Sequence, residues 1–335
     1  MHPALQGLLT IFIGVGGCIG YFYGANQFLD KVLLPAKGPN AGRNINRANM
    51  IRPWIFLFPA MLALGLYLAY PVFATLPLSF PERLPGNQYV FVGFENYTKM
   101  FAEPKFIEAM QNNVLWLVFV PAAATAFGLL AAQLTDRLRW GSFAKSIIFM
   151  PMAISFVGAA VIFKLVYEAR PEDVAQIGIL NHLYLTFGGT SPKQWLQIPF
   201  WNSFFLMAVL VWIQTGFAMV ILSAALRGIP EETIEAAVID GANPFQIFFK
   251  IKIPQIMSTI VVVWTTITIA TLKVFDIVFA MTNGQWETQV LANYMYDKLF
   301  RANDWGMGSA AAMIIMLMVT PILVWNVYNA RKEMR

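Results

Sequence analysis

Residues 203–226, SFFLMAVLVWIQTGFAMVILSAAL, form an apolar stretch without a charged side chain. A helix that crosses a bilayer needs about 20 such residues. Other stretches along the chain are similarly apolar, although two of them contain charged residues. They predict seven spans, over residues 8–29, 54–76, 114–134, 146–167, 203–226, 256–280 and 307–328. The stretches are too long for the short alternating strands of an outer-membrane β-barrel.

The composition supports a membrane protein. Of the 335 residues, 58% are hydrophobic and 12% are charged, whereas soluble proteins carry about 25% charged residues. The mean hydropathy is +0.59. These values argue against a soluble enzyme and against a disordered chain. The chain has one cysteine and two histidines. This excludes a disulfide framework and a multi-cysteine metal site. We therefore predict an all-α, polytopic membrane helical bundle that binds no metal or cofactor itself.

The first span is the least regular, because five glycines between Gly14 and Gly24 dilute it. It could instead be a signal peptide. No Lys or Arg precedes its apolar run, however, and no clear small-residue cleavage site follows it. We predict an uncleaved helix. Residues 1–53 then form this helix and a basic linker, flexible over 36–49, and residues 54–335 form the main bundle.

The distribution of Lys and Arg predicts the orientation. Segments 30–53, 135–145 and 227–255 and the C-terminal tail carry fourteen of these residues, and the opposite loops carry seven. Because cytoplasmic loops carry the excess, we predict a cytoplasmic C-terminus and an external N-terminus. The same bias accounts for the net charge of +5 without a nucleic-acid partner. The external loops 77–113, 168–202 and 281–306 are rich in aromatic residues, which indicates either a docking surface or an interfacial belt.

Segment 227–255, RGIPEETIEAAVIDGANPFQIFFKIKIPQ, is the longest cytoplasmic connection. Pro230 suits the first position of a helix, and Gly241 suits the left-handed residue that ends one. Asn243 and Pro244 then start a second short helix. The first helix carries Glu231, Glu232, Glu235 and Asp240 and no basic residue. An acidic helix is disfavoured on an anionic leaflet, so we expect it to dock on a soluble partner rather than lie on lipid.

The same segment resembles the EAA signature of permease subunits from binding-protein-dependent ABC importers. The matching positions are Glu235, Ala236, Ala237, Gly241, Ile251 and Pro254, and Asp240-Gly241-Ala242 matches the form of the carbohydrate branch. Ile253 departs from the usual Leu. The resemblance implies that the ATPase-coupling residues are Glu235, Ala236, Ala237, Asp240, Gly241, Ile251 and Pro254.

Further similarity extends over roughly residues 54–335, through segments 94–97, 178–181, 273–276 and 281–284. Over these residues the chain is similar to the first permease of maltose and α-glucoside importers. The resemblance implies a six-helix permease core, here preceded by one extra helix. Family members usually continue with a Gly-Gly-Pro turn after the last of these segments, whereas this chain has Gln285-Trp286. The shape of that loop is therefore not predicted by the resemblance.

The resemblance also implies partners: a second permease, two ATP-binding subunits that hold ATP and Mg, an external solute-binding protein and a sugar substrate. The location would be the bacterial inner membrane, in contact with lipid. No G-x-x-x-x-G-K-[ST] phosphate loop occurs in the sequence, so ATP hydrolysis is expected from a partner. The chain itself is not expected to be an enzyme.

Charged residues within spans usually mark a transport path. Lys273 and Asp276 lie three apart in the sixth span, and Lys164 and Glu168 lie four apart near the end of the fourth. Either pair could instead neutralise itself structurally. A sugar also needs hydrogen-bonding and aromatic groups, which Gln214, Thr215, Thr266, Thr268, Trp212 and Trp264 could supply. We predict a path that includes Lys273, Asp276, Gln214, Trp212 and Thr266, with ordinary helix packing as the alternative.

Other function classes remain open at this point. A permease for glycerol phosphate or a polyol would have nearly the same features. A secondary transporter would work without ATP and without an ATPase contact at 227–255. A membrane-embedded enzyme lacks support, because no His cluster or Ser/His/Asp arrangement is apparent in the spans.

Overall fold

The structure is a computed structural model that describes residues 3–84, 88–136 and 138–333. The chain separates into two compact units, Met1–Ala74 and Thr75–Arg335. Five of its described helices are long and apolar enough to cross a membrane, and two bent helix pairs bring the number to as many as seven. The predicted all-α bundle and the places of its spans agree with this architecture.

The first unit is helical almost throughout. Helix α1 spans Pro3–Phe28 and continues through a π-helical turn, and α2 spans Ala41–Leu64. A second π-helical turn leads into α3, Tyr70–Leu78, so residues 41–78 read as one long apolar helix. The expectation of a flexible linker over 36–49 is wrong from Ala41 onward. The Asn44 side chain donates a 3.0 Å hydrogen bond back to the Pro35 carbonyl, which secures the start of α2.

The second unit begins within α3 and continues with a small antiparallel hairpin that the sequence did not indicate. Strand β1, Pro81–Leu84, pairs with β2, Gln88–Phe91, and Pro81 lies opposite Phe91. The helices that follow are α4 Glu95–Ala102, α5 Pro104–Thr135, α6 Gly141–Phe149, α7 Phe156–Val166, α8 Ile179–Thr186, α9 Trp201–Arg227, α10 Glu231–Ile239, α11 Pro244–Gln246, α12 Ile253–Gln255, α13 Met257–Leu272, α14 Asp276–Met281, α15 Leu291–Tyr296 and α16 Trp305–Glu333.

The core of the second unit is the packing of α9 against α5. A Cβ at Gly128 of α5 would lie 2.4 Å from the Cβ of Ala218 and 2.9 Å from the backbone nitrogen of Met219. Only glycine permits this approach, as is usual where membrane helices touch. Trp116, Leu206 and Met219 are buried in the core that runs along the two helices. The two helices therefore form a fixed centre around which the other helices are arranged.

The fourth predicted span, 146–167, is not one straight helix. Segment 141–153 meets α7 at an angle of 104°. Pro151 lies in a 3₁₀ turn at the end of α6, and the Ser155 hydroxyl accepts a 3.1 Å hydrogen bond from the Gly158 amide. This N-cap starts a new helix inside the span. The span therefore consists of two helices, because a proline and a serine cap act together here.

The sixth predicted span, 256–280, is also interrupted. Helix α13 ends at Leu272, and α14 starts at Asp276, whose carboxylate lies in the first turn. An acidic residue is favoured at that position by the helix dipole. Residues 273–275 between the two helices are not helical. The three-residue spacing of Lys273 and Asp276 therefore does not place them on one helix face.

Candidate coupling segment and transport path

Helix α10 forms as predicted, and it starts one residue after the predicted proline. Pro230 is the N-cap residue, and Glu231 and Glu232 occupy the first turn. Their carboxylates lie at the positive end of the helix dipole, where acidic side chains are stabilising. The predicted helix start is thus confirmed to within one residue.

The end of α10 is a Schellman motif centred on Gly241. The Gly241 amide donates to the Val238 carbonyl at 3.0 Å, and the Ala242 amide donates to the Ala237 carbonyl at 2.9 Å. Gly241 has a φ of +79°, which glycine adopts without the strain that other residues incur. The predicted left-handed glycine is confirmed, and it turns the chain sharply after α10.

The second short helix begins at the predicted cap. The Asn243 side chain accepts a 2.8 Å hydrogen bond from the Gln246 amide, and the Gln246 side chain accepts a 2.9 Å bond from the Asn243 amide. This is a capping box. Helical structure then continues through a π-helical turn over Ile247–Lys252 into α12. Segment 244–255 meets α13 at 72°, so the segment joins the bundle through a defined bend.

Large apolar side chains on this segment are exposed in the isolated chain. Ile239 is 85% exposed and Phe245 is 76% exposed. Val238 and Phe249 are exposed as well. Exposed apolar side chains that form a patch mark a site of interaction with a protein or a membrane. We call residues Glu235, Ala236, Val238, Ile239, Phe245 and Phe249 the coupling surface.

The predicted coupling residues divide into two groups. Glu235, Ala236 and Asp240 are exposed, and so are Gly241 and Pro254. Within the described part of the chain, the Glu235 carboxylate has no hydrogen bond or ion pair, so it is available to a partner. Ala237 is buried and Ile251 is half-buried. These two side chains therefore pack within the chain, and the alanine pair does not act as one surface.

A charged cluster lies where the coupling segment leaves the bundle. Asp136 follows the last residue of α5 and accepts hydrogen bonds from Lys145, from Ser223 at 3.0 Å and from the Arg227 guanidinium at 2.9 Å. Burial raises the pKa of the Asp136 carboxyl, but the hydrogen bonds from Lys145, Arg227 and Ser223 lower it more, and the pKa lies below its ordinary value. The cluster ties α5, α6 and α9 together next to Gly228.

Sequence reasoning did not single out Asp136. Its only sequence signal is an acidic residue directly before the basic residues at the end of a span. A second tie holds the later part of the segment, because the Lys252 amine donates a 3.2 Å hydrogen bond to the Gln133 side chain of α5. Both ends of the coupling segment are therefore fixed to α5 or its end.

The structure does not bring the predicted path residues together. Lys273 is exposed and Asp276 is half-buried, and no ion pair joins them within the described residues. Lys273 lines a cavity of about 360 Å³ with Phe275 and Tyr296. Asp276 is not among the residues that line this cavity.

The polar groups on α9 and α13 show helix-packing geometry. Trp212 and Thr215 line an almost wholly apolar cavity of about 520 Å³. Gln214 is half-buried and lies two positions from Trp212, which places it on another face of α9. The Thr266 hydroxyl donates to the Val262 carbonyl at 2.8 Å, and Thr268 donates to Trp264 at 2.8 Å. These hydroxyls satisfy their own helix, as the packing alternative requires.

The structural alternative in which Lys164 and Glu168 pair with each other is wrong. Helix α7 ends at Val166, so Glu168 lies beyond the helix. Glu168 pairs with Arg170 at 3.2 Å, and the Lys164 amine donates to the Ala280 carbonyl at 3.4 Å. Both side chains nevertheless line a cavity of about 220 Å³ together with Trp286.

Segments 94–97 and 178–181 each contribute an asparagine whose hydrogen bonds hold a loop in place. The buried Asn96 amide donates to the carbonyls of Ser79 at 2.9 Å and Pro81 at 2.7 Å, which fixes the start of the hairpin. The buried Asn181 amide donates to the carbonyls of Glu168 at 2.9 Å and Lys193 at 3.0 Å. Both asparagines therefore shape loops that were predicted to be external.

Comparisons with known proteins identify relatives over the whole length of the chain. The family of binding-protein-dependent transport system inner membrane components matches residues 124–334. The alpha-glucoside transport system permease protein AglF of Rhizobium meliloti is 58% identical, with 99% of each chain covered. The osmoprotective compounds uptake permease protein GgtC of Synechocystis is 46% identical, with 84% of this chain and 100% of the relative covered. A crystal structure of a bacterial ABC transporter involved in the import of the acidic polysaccharide alginate contains a similar chain. Its TM-score is 0.72 at 20% identity, with 87% of this chain and 98% of that chain covered.

Proposed function

Since this chain belongs to the family of binding-protein-dependent transport system inner membrane components, we propose that it forms part of a transport path for an α-glucoside or related oligosaccharide. In this proposal it works as the first of two different permease subunits. Two ATP-binding subunits supply the energy, and an external binding protein delivers the sugar. ATP and Mg belong to the ATP-binding subunits.

The coupling surface is the observation that carries the proposal. It exposes large apolar side chains next to the Glu235 carboxylate, which has no partner among the described residues, and its base is fixed by the Asp136 cluster. In this proposal the coupling segment moves together with the ATP-binding subunit that docks on it. A self-sufficient secondary transporter does not need a docking surface for an ATPase, whereas a permease that depends on separate ATPases requires such a surface.

The choice of sugar rests on the named relatives. AglF, 58% identical over nearly the whole chain, is described as an alpha-glucoside permease. The lactose transport permease LacF of Rhizobium radiobacter is 30% identical over 87% of this chain. GgtC is described as a permease for the uptake of osmoprotective compounds. Small protective solutes are therefore the second class of substrate to be tested. A permease for glycerol phosphate or a polyol is a further outcome of the same test.

The test is uptake by the complete complex. The chain is purified with its co-expressed subunits and reconstituted in vesicles that contain ATP, and the binding protein is added outside. We expect uptake of labelled maltose, trehalose or sucrose that requires both ATP and the binding protein. Uptake that proceeds without ATP would refute the ATP-driven mechanism, and uptake of glycerol phosphate or a polyol alone would refute the sugar assignment.

The orientation is part of the same proposal. We infer an external N-terminus and a cytoplasmic C-terminus from the fourteen basic residues against seven. His2, which lies outside the described residues, is replaced by cysteine in a Cys18→Ala background. An impermeant thiol reagent should then label intact cells. Labelling only after lysis would contradict the orientation, and a mature chain that starts near residue 25 would contradict the uncleaved first helix.

A further inference from the structure

The cavity lined by Lys164, Glu168 and Trp286 lies at the end of α7. Its volume is about 220 Å³, and its lining includes Lys164, Tyr167, Glu168, Trp195, Gln197 and Trp286. Ligand sites for drug-sized molecules are usually about 300–1,000 Å³, so this cavity suits a smaller unit. It belongs wholly to the second unit of the chain.

Trp286 reaches this cavity from a strained turn. Trp286 and Glu287 have φ angles of +55° and +63°, a region that bulky residues avoid. The buried Asn202 side chain donates a hydrogen bond to the Trp286 carbonyl, and Asn112 donates to the Glu287 carbonyl at 2.9 Å. Side-chain amides from α9 and α5 thus hold a turn that would otherwise relax. The result is an indole that stays 43% exposed at the cavity wall.

The lining carries unused hydrogen-bonding groups. Gln194 and Gln197 are exposed, and their side-chain amides make no hydrogen bond within the described part of the chain. The Trp195 indole nitrogen is buried there without a partner. Buried polar groups are normally paired, so this N–H calls for an external acceptor. Among the described residues, the Lys164 amine makes one long hydrogen bond, to the Ala280 carbonyl at 3.4 Å.

This combination of groups matches one sugar ring. A pyranose offers a face of C–H bonds to an aromatic ring, whose own face is electron-rich. Its hydroxyls both donate and accept hydrogen bonds, and the cavity presents donors and acceptors together. The aromatic groups are Trp286, Tyr167 and Trp195, and the polar groups are the two glutamines, Lys164 and Glu168.

We propose that this cavity is an outer subsite that holds one pyranose ring of the transported sugar, with Trp286 as its aromatic platform. The inference rests on the proposed function for the class of ligand. It goes beyond that function because it assigns the subsite to residues at the end of α7 and in the 281–289 loop. It also explains why this chain has Gln285-Trp286 in place of the family's usual turn, because Trp286 supplies the aromatic ring of the subsite.

The experiment measures protection of a cysteine by sugar. Gln197→Cys is made in a Cys18→Ala background, and the complete complex is treated with an impermeant maleimide. Maltose, trehalose and sucrose are the probes, and mannitol is the control solute. We expect one of the three sugars to slow labelling at position 197 at least threefold, and mannitol to have no effect. The control is Phe200→Cys, which is 61% exposed in the wild type, does not line this cavity, and should not be protected.

Variants then test the platform. Trp286→Ala should abolish protection and Trp286→Phe should keep it, whereas Trp201→Ala, an exposed tryptophan outside the cavity, should change nothing. If Trp286→Ala fails to assemble, Gln194→Ala replaces it, since the Gln194 side-chain amide makes no hydrogen bond within the described residues, and protection should decrease. Unprotected labelling in a complex that takes up the sugar would overturn the subsite and leave the proposed function intact. Failure of ATP-dependent uptake would refute the function, whereas protection by sugar would still support the subsite.

Discussion

Valine at position 241 is the sharpest test of the coupling segment. Gly241 has a φ of +79°, and no atom lies within 4 Å of the Cβ that a side chain would add. The substitution therefore introduces backbone strain without a steric clash. Such strain costs about 1–3 kcal/mol at one residue, which corresponds to about a 5- to 150-fold loss of the correctly turned segment.

The expected result is a loss of coupling without a loss of protein. Gly241→Val should leave the permease in the membrane and reduce ATPase stimulation by loaded binding protein at least fivefold. Gly241→Asn should be milder, because asparagine tolerates the left-handed region. The assay is ATP hydrolysis by the reconstituted complex with and without loaded binding protein.

The chain contains a matched control for this strain. Gly38 has a φ of +80° and also has no atom within 4 Å of an added Cβ, but it lies in the first unit. Gly38→Val should therefore keep normal ATPase stimulation. Equal damage from both valines would mean that the effect is general, and full stimulation in Gly241→Val would refute the role of this turn.

The remaining predictions concern three other places. Ala236→Leu should leave the permease stable but weaken the pull-down of the ATP-binding subunits, whereas Ala237→Leu should destabilise the segment itself because Ala237 is only 7% exposed; equal effects in both assays would contradict this division. Asp136→Asn should lower the free energy of unfolding by on the order of 1 kcal/mol, because the carboxylate is partly exposed. Since its pKa is lowered in the folded protein, that stabilisation is present above the ordinary pKa and is lost as the pH falls through the lowered pKa. Thermal melts at neutral pH and below about pH 4 should therefore show the difference from wild type shrinking in acid; a constant difference would count against the cluster. Lys273→Met and Asp276→Leu should have additive effects on uptake, with a coupling below about 0.5 kcal/mol, and a larger coupling would show that the two residues interact.

The local structure of the coupling segment could be predicted because local signals determine it. Pro230, Gly241 and Asn243 act through the backbone of their immediate neighbours, and the structure forms the helix end and the capping box that they predict. The places of the spans were predictable for a similar reason, since hydropathy acts over a single stretch of about 20 residues.

The bends and the transport path could not be predicted in this way. The break at Ser155 depends on one hydroxyl and one proline within an apolar stretch that looks continuous. The break at 273–275 separates residues whose spacing fits a helix face. The rotation of each helix about its axis determines which polar residues in the spans come into contact. The hydropathy of the spans does not predict this rotation. Trp286 was noted only as a departure from a family pattern, because its placement depends on amides from distant helices.

Photo-cross-linking from Ile239 tests the central claim most directly. Ile239 is 85% exposed on the coupling surface, and Phe187 is 86% exposed in a loop of the predicted opposite side. Each is replaced in turn by a photoreactive phenylalanine in the complete, reconstituted complex. We predict that position 239 cross-links to the ATP-binding subunit with a yield that changes when ATP is added, and that position 187 does not. Cross-links from position 239 to lipid alone would show a helix that lies on the membrane and would contradict the account.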